Sequence, residues 1–91
     1  MIRREKKGDV VRLTFALPKE DPTGPVSVVG DFNDWTPDAH RLKARANGTR
    51  SVAVQVPAGA FLEFRYLGAD GQWFDDLDAD DWRDGNGVIS A

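Results

Sequence analysis

The chain has 91 residues, no cysteine and a formal net charge of −3. That length allows one domain, near the small end of what folds alone without staples. The composition excludes disulfides and thiolate chemistry, and the acidic balance argues against nucleic acid as the main partner.

Residues 1–9 carry four basic side chains between Arg3 and Lys7 and have no apolar stretch. They are expected as a charged, solvated lead-in with no secretory signal. Residues 10–91 are expected as a single domain. No run approaches the roughly 20 apolar residues of a membrane helix, so no membrane partner is expected. Absent cysteine is compatible with a reducing cytoplasm, the expected location.

The periodicity is that of strands. In Val11 to Leu17 apolar residues recur at every second position, giving one buried face, and Pro18 ends the ladder. Lys19 to Pro25 reads as a polar loop holding Pro22 and Gly24, and Val26 to Gly30 as a second short strand. Gly30 to Asp34 then forms a tight turn that ends in Trp35, an unusual place for a large ring. His40 to Ala46 is a weaker strand with Leu42 its one large apolar residue, and Asn47-Gly48 predicts a type I′ hairpin. Val52, Val54 and Val56 alternate with smaller or polar residues up to Pro57. After the turn at Ala58-Gly59, Phe61 to Leu67 is another strand, Gln72 to Asp75 its hairpin partner, and Gly87 to Ser90 the last strand. Several short strands with regular turn signals and no helical window predict an all-β fold, an antiparallel β-sandwich.

Within Phe61 to Leu67, the residues Leu62, Phe64 and Tyr66 form the expected core face, which puts Arg65 outside. Trp73 has two possible placements. A two-residue Asp70-Gly71 loop pairs Leu67 with Phe74 and turns Trp73 inward; a three-residue Ala69-Asp70-Gly71 loop pairs Leu67 with Trp73 and puts that ring beside Arg65. One residue of register separates the two.

Three motifs occur in order: Val29-Gly30-Asp31-Phe32-Asn33-Asp34-Trp35, Gly59-Ala60-Phe61-Leu62-Glu63-Phe64-Arg65-Tyr66, and Asp70-Gly71-Gln72-Trp73, followed by a terminal Asn86-Gly87-Val88-Ile89. In these the chain resembles carbohydrate-binding module family 48, the isoamylase N-terminal domain, from about Val10 to Ser90. That family includes the glycogen-binding domain of the AMP-activated protein kinase β subunit. The resemblance implies an immunoglobulin-like β-sandwich that binds α-1,4-glucan without catalysis or cofactor. It implies sugar stacking by Trp35 and Trp73 and hydrogen bonding by Arg65, where the kinase subunit has Lys. It also implies a polar contact from Asn86 and a side chain, Trp82, reaching the glucan from the preceding loop. The implied partners are an α-glucan oligosaccharide or polysaccharide and a glucan-active enzyme in trans.

Other chemistries fit the residues less well. Asp76, Asp78 and Asp80 have calcium-loop spacing, but Asp81 replaces the glycine at the sixth position and Gly87 the glutamate at the twelfth, so a solvated acidic loop is expected rather than a metal site. A glycosidase needs two carboxylates across a water-excluding cleft, for which a small sandwich offers little depth. His40, the single histidine, has no Ser or Cys arranged with it as a triad. The main rival is an immunoglobulin-like protein-interaction domain that keeps the fold without binding glucan.

Overall fold

Alternation of apolar and polar side chains organises the chain into two antiparallel sheets. The structure, a computed structural model, describes residues 1–20 and 23–91; Pro22, expected in the first loop, lies outside the described residues. The strands are β1 (Ile2–Lys7), β2 (Val10–Pro18), β3 (Ser27–Gly30), β4 (Lys43–Ala44), β5 (Thr49–Pro57), β6 (Phe61–Leu67), β7 (Trp73–Phe74), β8 (Asp81–Arg83) and β9 (Asn86–Ser90). One sheet has the order β1-β2-β5-β4; the other has the order β3-β6-β9-β8, with β7 also paired to β6. The fold is therefore the expected antiparallel β-sandwich. No helix among the described residues is long and apolar enough to cross a membrane.

The core lies between the sheets. Leu13 and Phe15 of β2 meet Leu62, Phe64 and Tyr66 of β6, with Val28 and Ile89 from β3 and β9, all buried. The Phe15 ring lies 5.1 Å from that of Phe64 and 6.4 Å from that of Tyr66, both in the tilted geometries that aromatic quadrupoles favour. Burying a residue of this size contributes about 1.5–3 kcal/mol, so this ring cluster holds the two layers together.

Four expectations need correction. The charged segment at the start is not a frayed lead-in: Ile2–Lys7 pairs along its length with Val10–Phe15. Ile2 sits opposite Phe15 on the core side, and the exposed charges are what a sheet edge carries to repel further pairing. The strand expected over His40 to Ala46 is regular only at Lys43–Ala44. Upstream, the chain pairs with the other sheet instead, through an Arg41–Ser27 bridge and a Leu42 N–H to Val26 carbonyl bond of 2.9 Å. This segment crosses between layers with Leu42 buried at the crossing.

At Asn47-Gly48 the type I′ turn does not form. Arg45 N–H donates to the Thr49 carbonyl at 2.7 Å, which makes a three-residue loop in which Gly48 alone takes positive φ (+80°). Finally, the acidic stretch, expected as a solvated loop, holds a strand, β8. The adjoining Asp84-Gly85 has φ of +52° and +84°, the type I′ pattern that hairpins prefer. Nor is that stretch merely solvated. Asp76 is buried and accepts the Tyr66 hydroxyl at 2.7 Å, and Asp80 accepts the Ser90 N–H at 2.9 Å and pairs with Arg4 across the sandwich edge.

Candidate functional site

The turn after β3 is fixed residue by residue. A Cβ on Gly30 would sit 2.3 Å from the Glu63 carbonyl oxygen and 2.6 Å from the Phe32 ring, so close approach excludes any side chain there. Asp31 accepts the Glu63 N–H at 3.2 Å, tying the turn to β6. Phe32 turns back toward the core and stacks on Phe15 at 6.2 Å.

Asn33 is the pin of this turn. Its Oδ1 accepts the Gly30 N–H at 3.0 Å, and its Nδ2 donates to the Val28 carbonyl at 3.1 Å. The same Nδ2 lies 2.9 Å from His40 Nδ1, a contact that assigns the acceptor role to that ring nitrogen. These bonds hold Asp34 and Trp35 both at φ +55°, with Trp35 N–H closing the turn onto the Gly30 carbonyl at 2.8 Å. A left-handed backbone at a non-glycine residue costs on the order of 1–3 kcal/mol and persists only where its surroundings over-determine it. The strain sits under an indole that is 37% exposed.

Trp73 reaches the same face by the longer of the two registers. Leu67 pairs with Trp73 and Tyr66 with Phe74. Gly68 N–H donates to the Gln72 carbonyl at 2.8 Å, leaving Ala69-Asp70-Gly71 as the loop with Gly71 at φ +80°. Phe74 therefore takes the inward place and stacks on Tyr66 at 5.3 Å. Trp73 stands out, 44% exposed.

Arg65 pairs with Val29 across β3 and faces outward. Val29 is fully buried yet outside the core cluster, so it forms the apolar floor of this outer face. Arg65 Nε donates to Asp75 Oδ1 at 2.9 Å, which orients the guanidinium and leaves its terminal nitrogens directed elsewhere. Asn86 Nδ2 donates weakly to Glu63 Oε1 at 3.4 Å, and its own carbonyl oxygen remains an acceptor.

Trp35, Arg65, Trp73 and Asn86 together line one open depression of about 270 Å³. Four of the five residues singled out in the sequence are thus brought together. The fifth is not: Trp82 is absent from this lining, although it is 46% exposed. It pairs with Gly87, and a Cβ on Gly87 would lie 3.2 Å from the Phe64 ring, so that rank of residues points to the core side of the sheet. A larger hollow of about 530 Å³ is lined by Arg50, Leu42, Lys19, Glu20 and Pro25, among others. Its lining residues include no aromatic side chain and adjoin the two undescribed positions, so it offers no stacking surface.

Sequence reasoning missed Asp75 as the partner of Arg65 and Asn33 as the pin under Trp35. The signal for Asn33 was present, since Asn side chains in tight turns bond neighbouring backbone.

No family model matches the chain. Part of it is similar to curated bacterial enzymes. The 1,4-alpha-glucan branching enzyme GlgB of Rhodopseudomonas palustris strain BisB5 is 42% identical over 48 residues, and that of strain HaA2 is 40% identical over 48 residues. Each match covers 52% of this chain and 7% of the enzyme, so the matched stretch is a small part of those proteins.

Proposed function

We propose that this chain is a non-catalytic module that binds α-1,4-glucan by stacking sugar rings on Trp35 and Trp73. One observation carries the reading: two exposed indoles share an open depression with an oriented guanidinium and an amide. A glucose ring presents C–H patches on its faces and hydroxyls around its rim. Flat indoles bury such patches with little rotamer entropy, while Arg65 and Asn86 supply donors and an acceptor for the rim. The partial similarity to glucan branching enzymes supports an α-glucan as the ligand. The module then targets or regulates a glucan-active enzyme, and we place it in the cytoplasm.

The expected affinity is modest. If each stacked sugar loses roughly 60 Å² of apolar surface, each Trp contributes about 1.5 kcal/mol. Each hydrogen bond adds about 1 kcal/mol net. After association costs the dissociation constant falls between about micromolar and millimolar. Repeated sites on a polysaccharide raise retention by avidity.

Titration calorimetry with β-cyclodextrin tests the reading, with Trp73→Ala as control. Binding in that range is expected, weakened about tenfold or more by the substitution. No heat, together with indole fluorescence indifferent to β-cyclodextrin or maltoheptaose, would refute it and favour the protein-interaction alternative.

A further inference from the structure

The outer face of the second sheet continues past the depression. One residue beyond the Phe64–Gly87 pair, Arg65 lies on the same face as Asn86 and lines the depression with it, and Asn86 in turn pairs with Arg83 of β8. Trp82 and Gly87 belong to the core-side rank, so Arg83, the next residue along, points to the same side as Asn86 and Arg65. With strands about 4.8 Å apart, the row Arg65–Asn86–Arg83 spans about 10 Å across the sheet.

The three side chains differ in how they are engaged. Arg65 is held by Asp75, and Asn86 leans on Glu63. Arg83 is exposed, and its side chain has no hydrogen bond or ion pair with the described residues. It is an uncommitted cation at the open end of a row whose other members line the depression.

We propose that Arg83 is a further binding residue, contacting a sugar of a longer α-glucan as the chain leaves the depression over β8; this rests on the glucan reading above. The ligand chemistry follows from the side chain. A guanidinium offers a planar fork of N–H donors, and the neighbouring 2- and 3-hydroxyls of an α-1,4-linked glucose offer two adjacent oxygen acceptors. A short oligosaccharide that fills only the space between Trp35 and Trp73 leaves Arg83 untouched. A longer one reaches it.

The test compares maltotriose with maltoheptaose by calorimetry, using the intact chain, Arg83→Ala and Arg83→Lys, with circular dichroism to verify folding. Arg83→Ala should weaken maltoheptaose binding about fivefold, the value of one hydrogen-bonding contact, and leave maltotriose unchanged. Arg83→Lys should recover part of the loss. If the unsubstituted chain binds maltoheptaose and Arg83→Ala binds it equally well, the assignment of Arg83 falls while the glucan reading stands. Equal losses for the two sugars also overturn the placement at an outlying ring. If the unsubstituted chain binds neither sugar, both the glucan reading and the role of Arg83 are wrong.

Discussion

Replacing Asn33 by alanine separates the contribution of the turn's hydrogen bonds from that of its aromatic ring. The substitution leaves the Val28 carbonyl and the Gly30 N–H without their side-chain partner, and both residues are buried. A buried polar group left unsatisfied costs about 1–3 kcal/mol. Because both bonds are only part-buried, the loss for the two should lie in the lower half of the summed range, about 2–4 kcal/mol. A small domain has about 5–15 kcal/mol in hand, which leaves the variant folded at room temperature. Urea unfolding followed by circular dichroism measures this term directly, free of the exposed indoles. The second readout is affinity for maltoheptaose in the absence of urea. Without Asn33 the backbone at Asp34 and Trp35 is free to leave φ +55°, relieving strain of order 1–3 kcal/mol, and binding should weaken about tenfold. A change in stability below about 0.5 kcal/mol would show that the amide is not the pin. Lost stability with unchanged affinity would show that Trp35 is positioned by other contacts.

Three further outcomes are expected. Trp35→Ala and Trp73→Ala should each leave the chain folded and cost less than the roughly 3–5 kcal/mol of a core Trp→Ala change, because the rings stay 37% and 44% exposed; outright unfolding in a thermal melt would mark the ring as core. Tyr66→Phe should cost about 1.5–3 kcal/mol in urea denaturation, since it removes the hydroxyl donor from the buried Asp76 carboxylate. Asp80 gives a pH signature: the Ser90 N–H bonded to it, and then Arg4 beside it, hold its carboxyl below the ordinary value of about 3.9. A carboxyl lowered by folding stabilises the native state above that ordinary value, and the benefit is lost as pH falls through the folded-state value. Asp80→Asn should therefore melt below the parent chain at pH 7, with the gap closing below about pH 4. A gap that stays constant down to pH 2 would contradict the assignment.

The sandwich was legible in the sequence where one strand face is apolar. Val11, Leu13 and Phe15, and likewise Leu62, Phe64 and Tyr66, announce their burial by alternation, and the structure buries all six. Strand β1 was illegible for the opposite reason. Ile2 is its one large apolar residue, and its pairing depends on backbone bonds to β2 rather than on a hydrophobic face. Strand β8 is short and wholly exposed, so Asp84-Gly85 was its signal, obscured by the surrounding aspartates. The candidate site was legible in four positions because motif order carried them. The side of the sheet taken by Trp82 followed only once β8 was paired to β9. Asp70-Gly71 was ambiguous because it satisfies either loop length locally. Stacking of Phe74 on Tyr66 in the core accompanies the longer one.

That turn has a consequence for how such a domain changes by mutation. Trp73 and Phe74 are adjacent aromatic residues on opposite sides of one strand, and the Ala69–Gly71 loop decides which is inside. A two-residue turn at the same chain length would bring Ala69 into the ladder opposite Gln72, pair Leu67 with Phe74 and exchange the two rings. Deleting one loop residue would instead keep Leu67 opposite Trp73. A point substitution erases one ring, whereas a one-residue slip of register exchanges two. The choice of turn at this loop is therefore itself a determinant of the outer face, and two homologous chains with identical aromatic content can differ in it completely.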